Sequence, residues 1–373
     1  MKVKNYLSQL RARQGLSAQQ LAERAGVQRQ AIYAMEAGTY IPNTLIALRL
    51  ARTLQVKVEE LFSLKEDGPI PVAEREVELL DVGGRLVPGQ PLQLGRIGER
   101  TVGVPATPVP VYLPSADAIF SRRTRTGRMG KAHVQLLRAD EERAPALLVA
   151  GCDPGISVLR RHLAEAGMKL VIASCSSSRA LELLRENHIH VAGTHLRDEK
   201  TGESNLPAVR HFFPRKNVMV ATFAVWEQGI VAARGNPKAI RKAEDLARKD
   251  LRLINRQSGS GSRYLLDATL RQLGCNSSEI QGYAAIADGH IPAAWHVQSG
   301  LADYCIATRS AAQVFGLAFV PLVSERFDLV IPKPYFKLPA VQLLMDTLNR
   351  AAFRRELEML GGYDTSQTGK QWM

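Results

Sequence analysis

The stretch GLSAQQLAERAGV (residues 15–27), followed directly by QRQAIYAMEAG (residues 28–38), predicts two short helices joined by a tight turn. Ser17 is a favourable N-cap, and Gln20, three residues later, completes a capping box. Gly26 stands where the turn needs a residue without a Cβ atom. These local signals fix both the start of the first helix and the position of the turn.

The second helix has an apolar face, formed by Ile32 and Met35, and leaves its polar residues on the other face. Two helices that cross at a tight turn form a helix-turn-helix, and the second helix of this motif enters the DNA major groove. Residues 4–63 resemble the phage-repressor-like (XRE) helix-turn-helix family. The resemblance extends through YIPNTLIAL (residues 40–48) to VEELF (residues 58–62), so we expect an all-α DNA-binding head.

The resemblance implies roles for the polar residues of this head. Side chains of the recognition helix would face the bases: Gln28, Arg29, Gln30 and Tyr33. Gln and Arg suit this role because each can form two hydrogen bonds with a purine edge. Three further residues would contact phosphates: Gln19, Asn43 and Thr44. A homodimer is expected because one short helix reads little sequence. The alternative is a generic five-helix bundle whose polar residues only keep it soluble.

The overall charge suits a polyanionic partner such as double-stranded DNA. The 373 residues carry a net charge of +13, with a pI near 9.8. Much of this charge lies outside the head, for example in RRTRTGRMGK (residues 122–131). That run could lie along the DNA backbone or form a solvated loop.

The sequence indicates a cytoplasmic protein without a membrane partner. The N-terminus lacks the apolar core of a signal peptide, and no stretch approaches eighteen uninterrupted apolar residues. The four cysteines are widely spaced and fit no metal-binding knuckle, so reduced thiols are expected. Cys152 and Cys175 both follow predicted strands, which leaves a redox pair as an alternative.

Composition divides the chain into four parts. Residues 1–64 form the head, residues 65–75 read as a linker broken by prolines, and residues 76–144 form a β-rich segment without assignable chemistry. From residue 145 to 373, buried strands alternate with loops and helices. This alternation of strands and helices predicts a parallel sheet with ligands at the carboxyl ends of its strands.

One loop of this last part has the composition of an anion cradle. RQSGSGSR (residues 256–263) follows a predicted strand at 251–255 and precedes a predicted helix at 264–273. Glycines allow successive backbone N–H groups to point inward, and a helix N-terminus adds positive potential. Arg256 and Arg263 could balance the charge of an anion. The loop is not a P-loop, because no lysine follows the glycines; the alternative is a serine-rich turn that caps a helix.

Residues 145–360 resemble the periplasmic-binding-protein-like domain found beside molybdate- and tungstate-related proteins. The motifs that carry this resemblance are AGTHLRD (192–198), NRQSGSGSR (255–263), HVQSGLAD (296–303), GLAFVPL (316–322) and ERFDLVIP (325–332). The resemblance implies two α/β lobes that close over a small oxyanion or a molecule bearing one. Tyr304, Cys305 and Ile306 depart from the glycine-rich step more usual in relatives, which leaves that pocket wall undefined.

The resemblance and the cradle together give the candidate ligand-binding residues. They are Asp153, Ser174, Ser176, Ser177, Thr194, His195, Arg256, Ser258, Ser260, Gly261, Ser262, Arg263 and Asp303. A metal site is one interpretation of His188, His190 and His195, which lie close together in the sequence. No fourth ligand stands at a spacing typical of a metal site, so no metal is expected. His195 is instead interpreted as a hydrogen-bond donor near the cleft.

These observations predict a multidomain chain with an all-α head, a small β-rich segment and an α/β two-lobed domain. The predicted function is a one-component transcriptional regulator that needs no cofactor and responds to molybdate, tungstate or a molybdopterin-like ligand. The sequence places no nucleophile or general acid–base pair, so no enzyme activity is expected. Two alternatives remain: a head fused to an enzyme that acts on a molybdopterin-type intermediate, and an interaction module that senses nothing.

Overall fold

The computed structural model describes residues 2–65, 74–81, 86, 88, 90–105, 114–125, 129–137, 146–198, 201–215 and 217–373. The chain divides into two compact units, residues 1–72 and 73–373. The predicted linker, 65–75, falls mainly on residues 66–73, outside the described part.

The first unit is a small helical domain closed by a two-stranded ribbon. Its elements are β1 (Lys2–Asn5), α1 (Leu7–Arg13), α2 (Ala18–Ala25), α3 (Arg29–Glu36), α4 (Thr44–Thr53), α5 (Val58–Leu61) and β2 (Phe62–Lys65), with β1 and β2 antiparallel. The capping box is confirmed, because the Ser17 side chain accepts from the Gln20 N–H and the Gln20 side chain accepts from the Ser17 N–H. Gly26 ends α2 at φ 68°, a left-handed conformation that favours glycine. Ile32 and Met35 are buried, as predicted.

The β-rich segment forms a closed five-stranded barrel. Its strands are β3 (Glu74–Leu80), β4 (Pro91–Ile97), β5 (Arg100–Pro105), β6 (Ala118–Arg125) and β7 (Met129–Leu136), in the order β3-β5-β4-β6-β7. Alternate residues such as Leu79, Leu94 and Val134 fill the interior. The basic run lies mainly on β6 and β7, where Lys131 pairs with Glu76 at 2.7 Å. Residues 126–128 of the run lie outside the described part of the chain.

The remaining chain is an α/β domain built on one mixed sheet. Its sheet strands are β8 (Ala146–Gly151), β9 (Lys169–Ser174), β10 (Val191–Thr194), β11 (Val218–Ala232), β14 (Tyr304–Thr308), β15 (Ala318–Pro332) and β16 (Tyr363–Asp364). The order is β14-β11-β15-β10-β8-β9, with β16 beside β11. The predicted parallel arrangement holds for β8, β9 and β10, whereas β11 and β15 form a long antiparallel pair.

The long pair of strands divides the domain into two lobes. The first lobe contains β8, β9 and β10, and the second contains β14 with the distal half of the pair. The helices are α6 (Ile156–Glu165), α7 (Ser177–Arg185), α8 (Leu206–Phe212), α9 (Gly261–Gln272), α10 (His290–Gln298), α11 (Arg309–Val314), α12 (Pro339–Leu348) and α13 (Ala351–Met359). A short parallel pair, β12 (Asn255–Arg256) and β13 (Ile286–Ala287), leads into α9 and α10.

The predicted boundaries near the cradle need correction. The strand expected at 251–255 is reduced to β12, because residues 251–254 make only an isolated bridge from Leu253 to Tyr304. The helix expected at 264–273 begins at Gly261, because the Ser260 hydroxyl oxygen accepts the Arg263 N–H and caps it. The glycine–serine sequence is therefore part of a helix start rather than a free loop.

The barrel packs directly on the first lobe. A Cβ atom on Gly95 would lie 2.1 Å from a Leu148 methyl group, so glycine is needed for β4 to approach β8. Lys169 pairs with Asp117 across the same boundary. Among the described residues, no helix is both long enough and apolar enough to cross a membrane.

Candidate functional site

Three buried side chains from separate elements meet at the ends of the first-lobe strands. Cys152 follows β8, His195 follows β10, and His290 begins α10. The Cys152 Sγ lies 3.4 Å from His195 Nε2 and 3.8 Å from His290 Nε2. We call these residues the Cys–His cluster. Since β8 and β10 are parallel neighbours, their carboxyl ends necessarily bring Cys152 and His195 together.

A chain of hydrogen bonds orients His195. Its Nδ1 lies 3.0 Å from Glu325 Oε2, and the Gln228 side-chain amide donates to the same oxygen at 2.5 Å. The Ser262 hydroxyl donates in turn to the Gln228 side-chain oxygen. Glu325 and Gln228 lie on the long strands β15 and β11, while Ser262 lies on α9. This network fixes the His195 ring with its Nε2 atom towards the thiol.

Among the described charged residues around the cluster, Arg256 has the most buried side-chain atoms without a hydrogen-bond partner. It is 1% exposed, and its Nη1 and Nη2 atoms have no hydrogen-bond partner among the described residues. Four other buried polar atoms here share this property: Asp153 Oδ2, Thr194 Oγ1, Trp226 Nε1 and His290 Nδ1. Buried polar atoms are nearly always hydrogen-bonded in folded proteins. Their concentration at one place indicates a site built for a bound group.

Burial and close contact shift several pKa values in opposite directions. Burial alone would raise the pKa of Cys152, but the neighbouring His195 and Arg256 outweigh it and lower that pKa. Burial opposes the charged form of His195, yet Cys152 and Glu325 raise its pKa to about 9. Burial lowers the pKa of His290, and the Arg256 charge adds to this effect. The arrangement therefore favours a thiolate beside a protonated His195.

Asp153 adds a carboxyl group whose charge depends on what lies nearby. Burial raises its pKa to about 7, although the Tyr363 hydroxyl donates to its Oδ1 at 2.8 Å. Its other oxygen has no partner among the described residues. A cation or donor at the site would therefore shift this group towards the carboxylate.

A cavity of about 420 Å³ opens on the cluster. Cys152, Asp153, Ser174 and His290 form part of its wall. The barrel supplies another part through Gln93, Pro114 and Ser115. The β-rich segment, for which the sequence predicted no chemistry, therefore encloses the site from one side.

Several predicted ligand residues reach this region but are already engaged. The Ser177 hydroxyl accepts from the His195 N–H at 3.1 Å. Ser176 caps α7, and Ser260 caps α9 while donating to the Gln257 carbonyl. Gly261 permits close packing of α9, because a Cβ atom there would lie 2.2 Å from the His195 carbonyl oxygen. Most of the serines thus shape the site rather than offer free donors.

Three predicted ligand residues are not brought to the Cys–His cluster. Ser258 is exposed. The Arg263 guanidinium lies 3.9 Å from the centre of the Tyr283 ring and contacts Asp267. Asp303 accepts from the Arg252 N–H and precedes β14, whereas the other end of β14 pairs with Gln228.

Four residues that complete the site were not predicted from the sequence. His290, Glu325, Gln228 and Trp226 carry no recognisable spacing relative to Cys152. The arrangement of Cys152, His195 and Glu325 also corrects the expectation that the chain has no nucleophile beside a base.

Cys175, the alternative redox partner of Cys152, is a buried free thiol, as is Cys152 itself. His188 and His190 precede β10 and do not join His195 in the cluster.

The predicted DNA-contacting side chains of the head are exposed. This applies to Gln19, Gln28, Arg29, Gln30, Tyr33, Asn43 and Thr44. The Arg29 guanidinium donates to the Tyr33 hydroxyl at 3.0 Å, so these two side chains form one unit on the surface of α3. Asn43 caps α4 through its side-chain oxygen, and Gln19 donates to Glu23 at 2.8 Å.

Two family models match separate parts of the chain. A family model described as a PBP superfamily domain matches residues 160–349, and one described as a helix-turn-helix matches residues 7–61. The uncharacterized protein YvgK of Bacillus subtilis is 32% identical over 241 residues, covering 64% of this chain and 78% of that protein.

Two further comparisons concern the separate parts. The uncharacterized HTH-type transcriptional regulator YgzD of Bacillus subtilis is 42% identical over 65 residues, covering 17% of this chain and 98% of that protein. Among solved structures, the sulfate-binding protein SubI of Mycobacterium tuberculosis matches with a TM-score of 0.44 and 15% identity. That match covers 59% of this chain and 86% of SubI.

Proposed function

We propose, for a chain that belongs to the PBP superfamily and carries a helix-turn-helix domain at its N-terminus, a DNA-binding regulator that responds to a small anionic ligand. The helix-turn-helix implies DNA binding, and the PBP-like domain implies binding of a small molecule. The anionic character of the ligand is our inference from the site. We place the protein in the cytoplasm, where its DNA would be.

The observation that carries this proposal is the buried guanidinium of Arg256. A charged group without a partner is costly to bury, and removing water from it is compensated only by a counter-charge or by hydrogen bonds. Nη1 and Nη2 have no hydrogen-bond partner among the described residues. The Nε atom donates to the Gln257 side chain at 3.2 Å, and the Cys152 thiol is the nearby group that could carry a counter-charge. Guanidinium groups bind oxyanions through paired N–H donors, which makes an oxyanion the natural complement.

The size of the cavity leaves two kinds of anionic ligand. Cys152 and His290, which interact with Arg256, line the cavity, although Arg256 itself does not. The cavity volume of about 420 Å³ exceeds a tetrahedral oxyanion and lies within the range of small-molecule sites. We therefore propose either an inorganic oxyanion, with molybdate and tungstate as first candidates, or a larger molecule such as a molybdopterin that carries an anionic group. Thr194 Oγ1 and Trp226 Nε1, which have no hydrogen-bond partner among the described residues, are buried beside the cluster, although neither residue lines this cavity.

We further propose that the regulator acts as a homodimer. The head exposes a group of apolar side chains on and before α4, namely Tyr40, Ile41, Leu45 and Leu48. Ile41 and Leu45 are more than half exposed, at 61% and 57%. Such a patch marks an interaction surface on a small domain. Pairing two heads would supply the second half-site contact that one recognition helix lacks.

The hydrogen-bonded arrangement of Cys152, His195 and Glu325 supports one alternative, an enzyme fused to the DNA-binding head. A thiolate beside an imidazole held by a carboxylate is the arrangement of a nucleophile with its base. The substrate would be the same anionic molecule, for example a molybdopterin-type intermediate. Steady turnover of a candidate ligand would establish this alternative, whereas saturable binding without turnover establishes the regulator.

The test is a ligand screen by thermal shift, followed by calorimetry on the full chain. Molybdate, tungstate, sulfate, phosphate and molybdopterin-like compounds are compared for stabilisation, since a bound ligand stabilises the native state by mass action. Arg256→Gln should weaken binding of the selected anion at least tenfold, whereas Arg241→Gln, the same change at an exposed position, should leave it unchanged. Unaltered binding by a folded Arg256→Gln protein would refute the anion site.

A second assay connects the ligand to DNA. The selected anion should change the affinity of the full chain for its DNA, because effector and DNA binding must be coupled in a regulator. A ligand that binds tightly but leaves DNA affinity unaltered would point to the enzyme or to an interaction module.

A further inference from the structure

We infer that the Cys–His cluster is a transition-metal site, in which Cys152 Sγ, His195 Nε2 and His290 Nε2 bind one cation such as Zn²⁺. The three ligand atoms all lie within 4.8 Å of one another, and all three residues are buried. This inference does not rest on the identity of the proposed effector.

The distances match tetrahedral coordination. Zn–S bonds of about 2.3 Å and Zn–N bonds of about 2.0–2.1 Å at a tetrahedral angle place sulfur and nitrogen about 3.5 Å apart. The two sulfur–nitrogen distances, 3.4 and 3.8 Å, lie on either side of that value. A cation at the centre of the triangle would therefore need little rearrangement of the side chains.

The surroundings of His195 are those of a metal ligand. A histidine that binds a metal through one ring nitrogen usually donates its other N–H to a carboxylate, which fixes the tautomer and the ring. His195 does this with Glu325 at 3.0 Å, and Gln228 holds Glu325 in turn. These hydrogen-bonded partners of His195 distinguish the cluster from three side chains that lie close together by chance.

The charges around the cluster also accommodate a dication. A metal-bound Cys152 thiolate and the Glu325 carboxylate would together balance a divalent ion, which leaves the positive charge of Arg256 for an anion. Asp153 Oδ2 and the Arg256 Nη atoms, which have no hydrogen-bond partner among the described residues, lie in this same region.

The ligand set selects the class of metal. One thiolate and two imidazoles suit Zn²⁺ and copper, whereas Ca²⁺ and Mg²⁺ prefer oxygen ligands. Three protein ligands leave the fourth position of a tetrahedral ion for an exogenous group. Because Arg256 lies beside Cys152, an anion in that position would contact both the metal and the guanidinium.

The experiment uses the full chain, stripped with a chelator and returned to Zn²⁺ or Co²⁺. We expect one equivalent of metal per chain by elemental analysis after dialysis. With Co²⁺ we expect the visible spectrum of a tetrahedral site together with a thiolate-to-metal charge-transfer band. Retention of substantially less than one equivalent by the wild-type protein would overturn the inference.

Variants assign the ligands. Cys152→Ser should abolish the charge-transfer band, and His290→Gln should weaken metal binding without abolishing that band in saturating Co²⁺. Cys275→Ser makes the same chemical change at a partly exposed cysteine outside the cluster and should bind as wild type. Glu325→Gln should weaken binding by about 10- to 100-fold, the usual effect of losing an outer partner. A charge-transfer band that survives in folded Cys152→Ser would refute the assignment.

Alkylation separates a metal site from a reactive thiol. Bound Zn²⁺ should protect Cys152 from iodoacetamide, as followed by peptide mass spectrometry. If Cys152 is alkylated at the same rate with and without Zn²⁺, the cluster is a thiolate–imidazolium pair and the metal site is refuted. Anion binding that depends on Arg256 is measured separately, so either proposal can fail alone.

Discussion

His190 shows how burial of one residue makes stability depend on pH. Its Nδ1 accepts a hydrogen bond from the Leu148 N–H at 3.0 Å, which requires the neutral ring. Burial lowers its pKa from 6.5 to about 4. Between these values the unfolded chain binds more protons than the folded one, so stability is lost as the pH falls from 6.5 towards 4.

We expect His190→Asn to reduce this loss, because the Asn oxygen can accept the same N–H and does not titrate. The full shift corresponds to about 3 kcal/mol, of which about 2 kcal/mol is lost between pH 7.5 and pH 5. Urea unfolding at pH 7.5 and pH 5 measures it, and His211→Asn, at an exposed histidine, is the matched control. An equal pH dependence in wild type and His190→Asn would contradict the prediction.

Arg29 is the residue of the recognition helix with the clearest expected role. It is exposed on α3, and a bidentate contact with a purine would replace its hydrogen bond to Tyr33. Arg29→Ala should weaken specific DNA binding by about 1–3 kcal/mol and relax the sequence preference. Fluorescence anisotropy at fixed salt tests this, with the exposed Arg52→Ala for comparison. A variant with unchanged affinity and preference would remove Arg29 from the set of base contacts.

At the scale of elements, the features that could be predicted from the sequence are those that depend on residues close together in the chain. The start of α2 depends on Ser17 and Gln20, which are three residues apart, so the sequence alone defines it. The strand predicted at 251–255 failed because pairing depends on a neighbour elsewhere in the chain, and β13 meets only Asn255 and Arg256. The family resemblance predicted Asp153 and His195 as neighbours of a cleft, but it predicted neither Cys152 at that place nor the partners of these residues.

The partners were missed for a related reason. Glu325 and Gln228 lie within strands of fifteen residues, away from any loop. Gly229 follows Gln228 and coincides with an irregularity in the strand pairing, but it does not indicate what the Gln228 side chain contacts. Glu325 contacts His195, and Gln228 contacts Glu325, only because β11 and β15 run on from the first lobe into the second. Periodicity identifies a strand but does not show which side chain faces a distant histidine.

The contact between α9 and β10 gives a prediction at this scale. Gly261 lies in the first turn of α9, where a Cβ atom would lie 2.2 Å from the His195 carbonyl oxygen and 2.3 Å from its Nδ1. Alanine normally stabilises a helix relative to glycine by roughly 0.5–1 kcal/mol. Here we expect Gly261→Ala to lower the melting temperature and to weaken anion binding, because α9 must move away from His195. A variant that is more stable than wild type and binds as well would show that this contact is not needed.

The whole molecule is a head and a larger ligand-binding unit with separate hydrophobic cores. Residues such as Leu21 and Leu50 form the core of the head, while Leu79 and Leu147 belong to cores of residues 73–373. The XRE resemblance predicted the head well, since nearly all its signals are local. The barrel was predicted only as a β-rich stretch, because its closure by β3 and β7 joins residues that are far apart in sequence.

Separate cores predict two unfolding transitions in calorimetry of the full chain. An anion that binds the larger unit should raise one transition, and an operator DNA should raise the other. At a ligand concentration of 100 times Kd, the stabilisation is about 2.7 kcal/mol. Arg256→Gln should remove the anion-induced shift and keep the DNA-induced shift, while Arg29→Ala should do the reverse. If the anion raised only the transition that DNA raises, the anion site would lie in the head, and the assignment of Arg256 would be wrong.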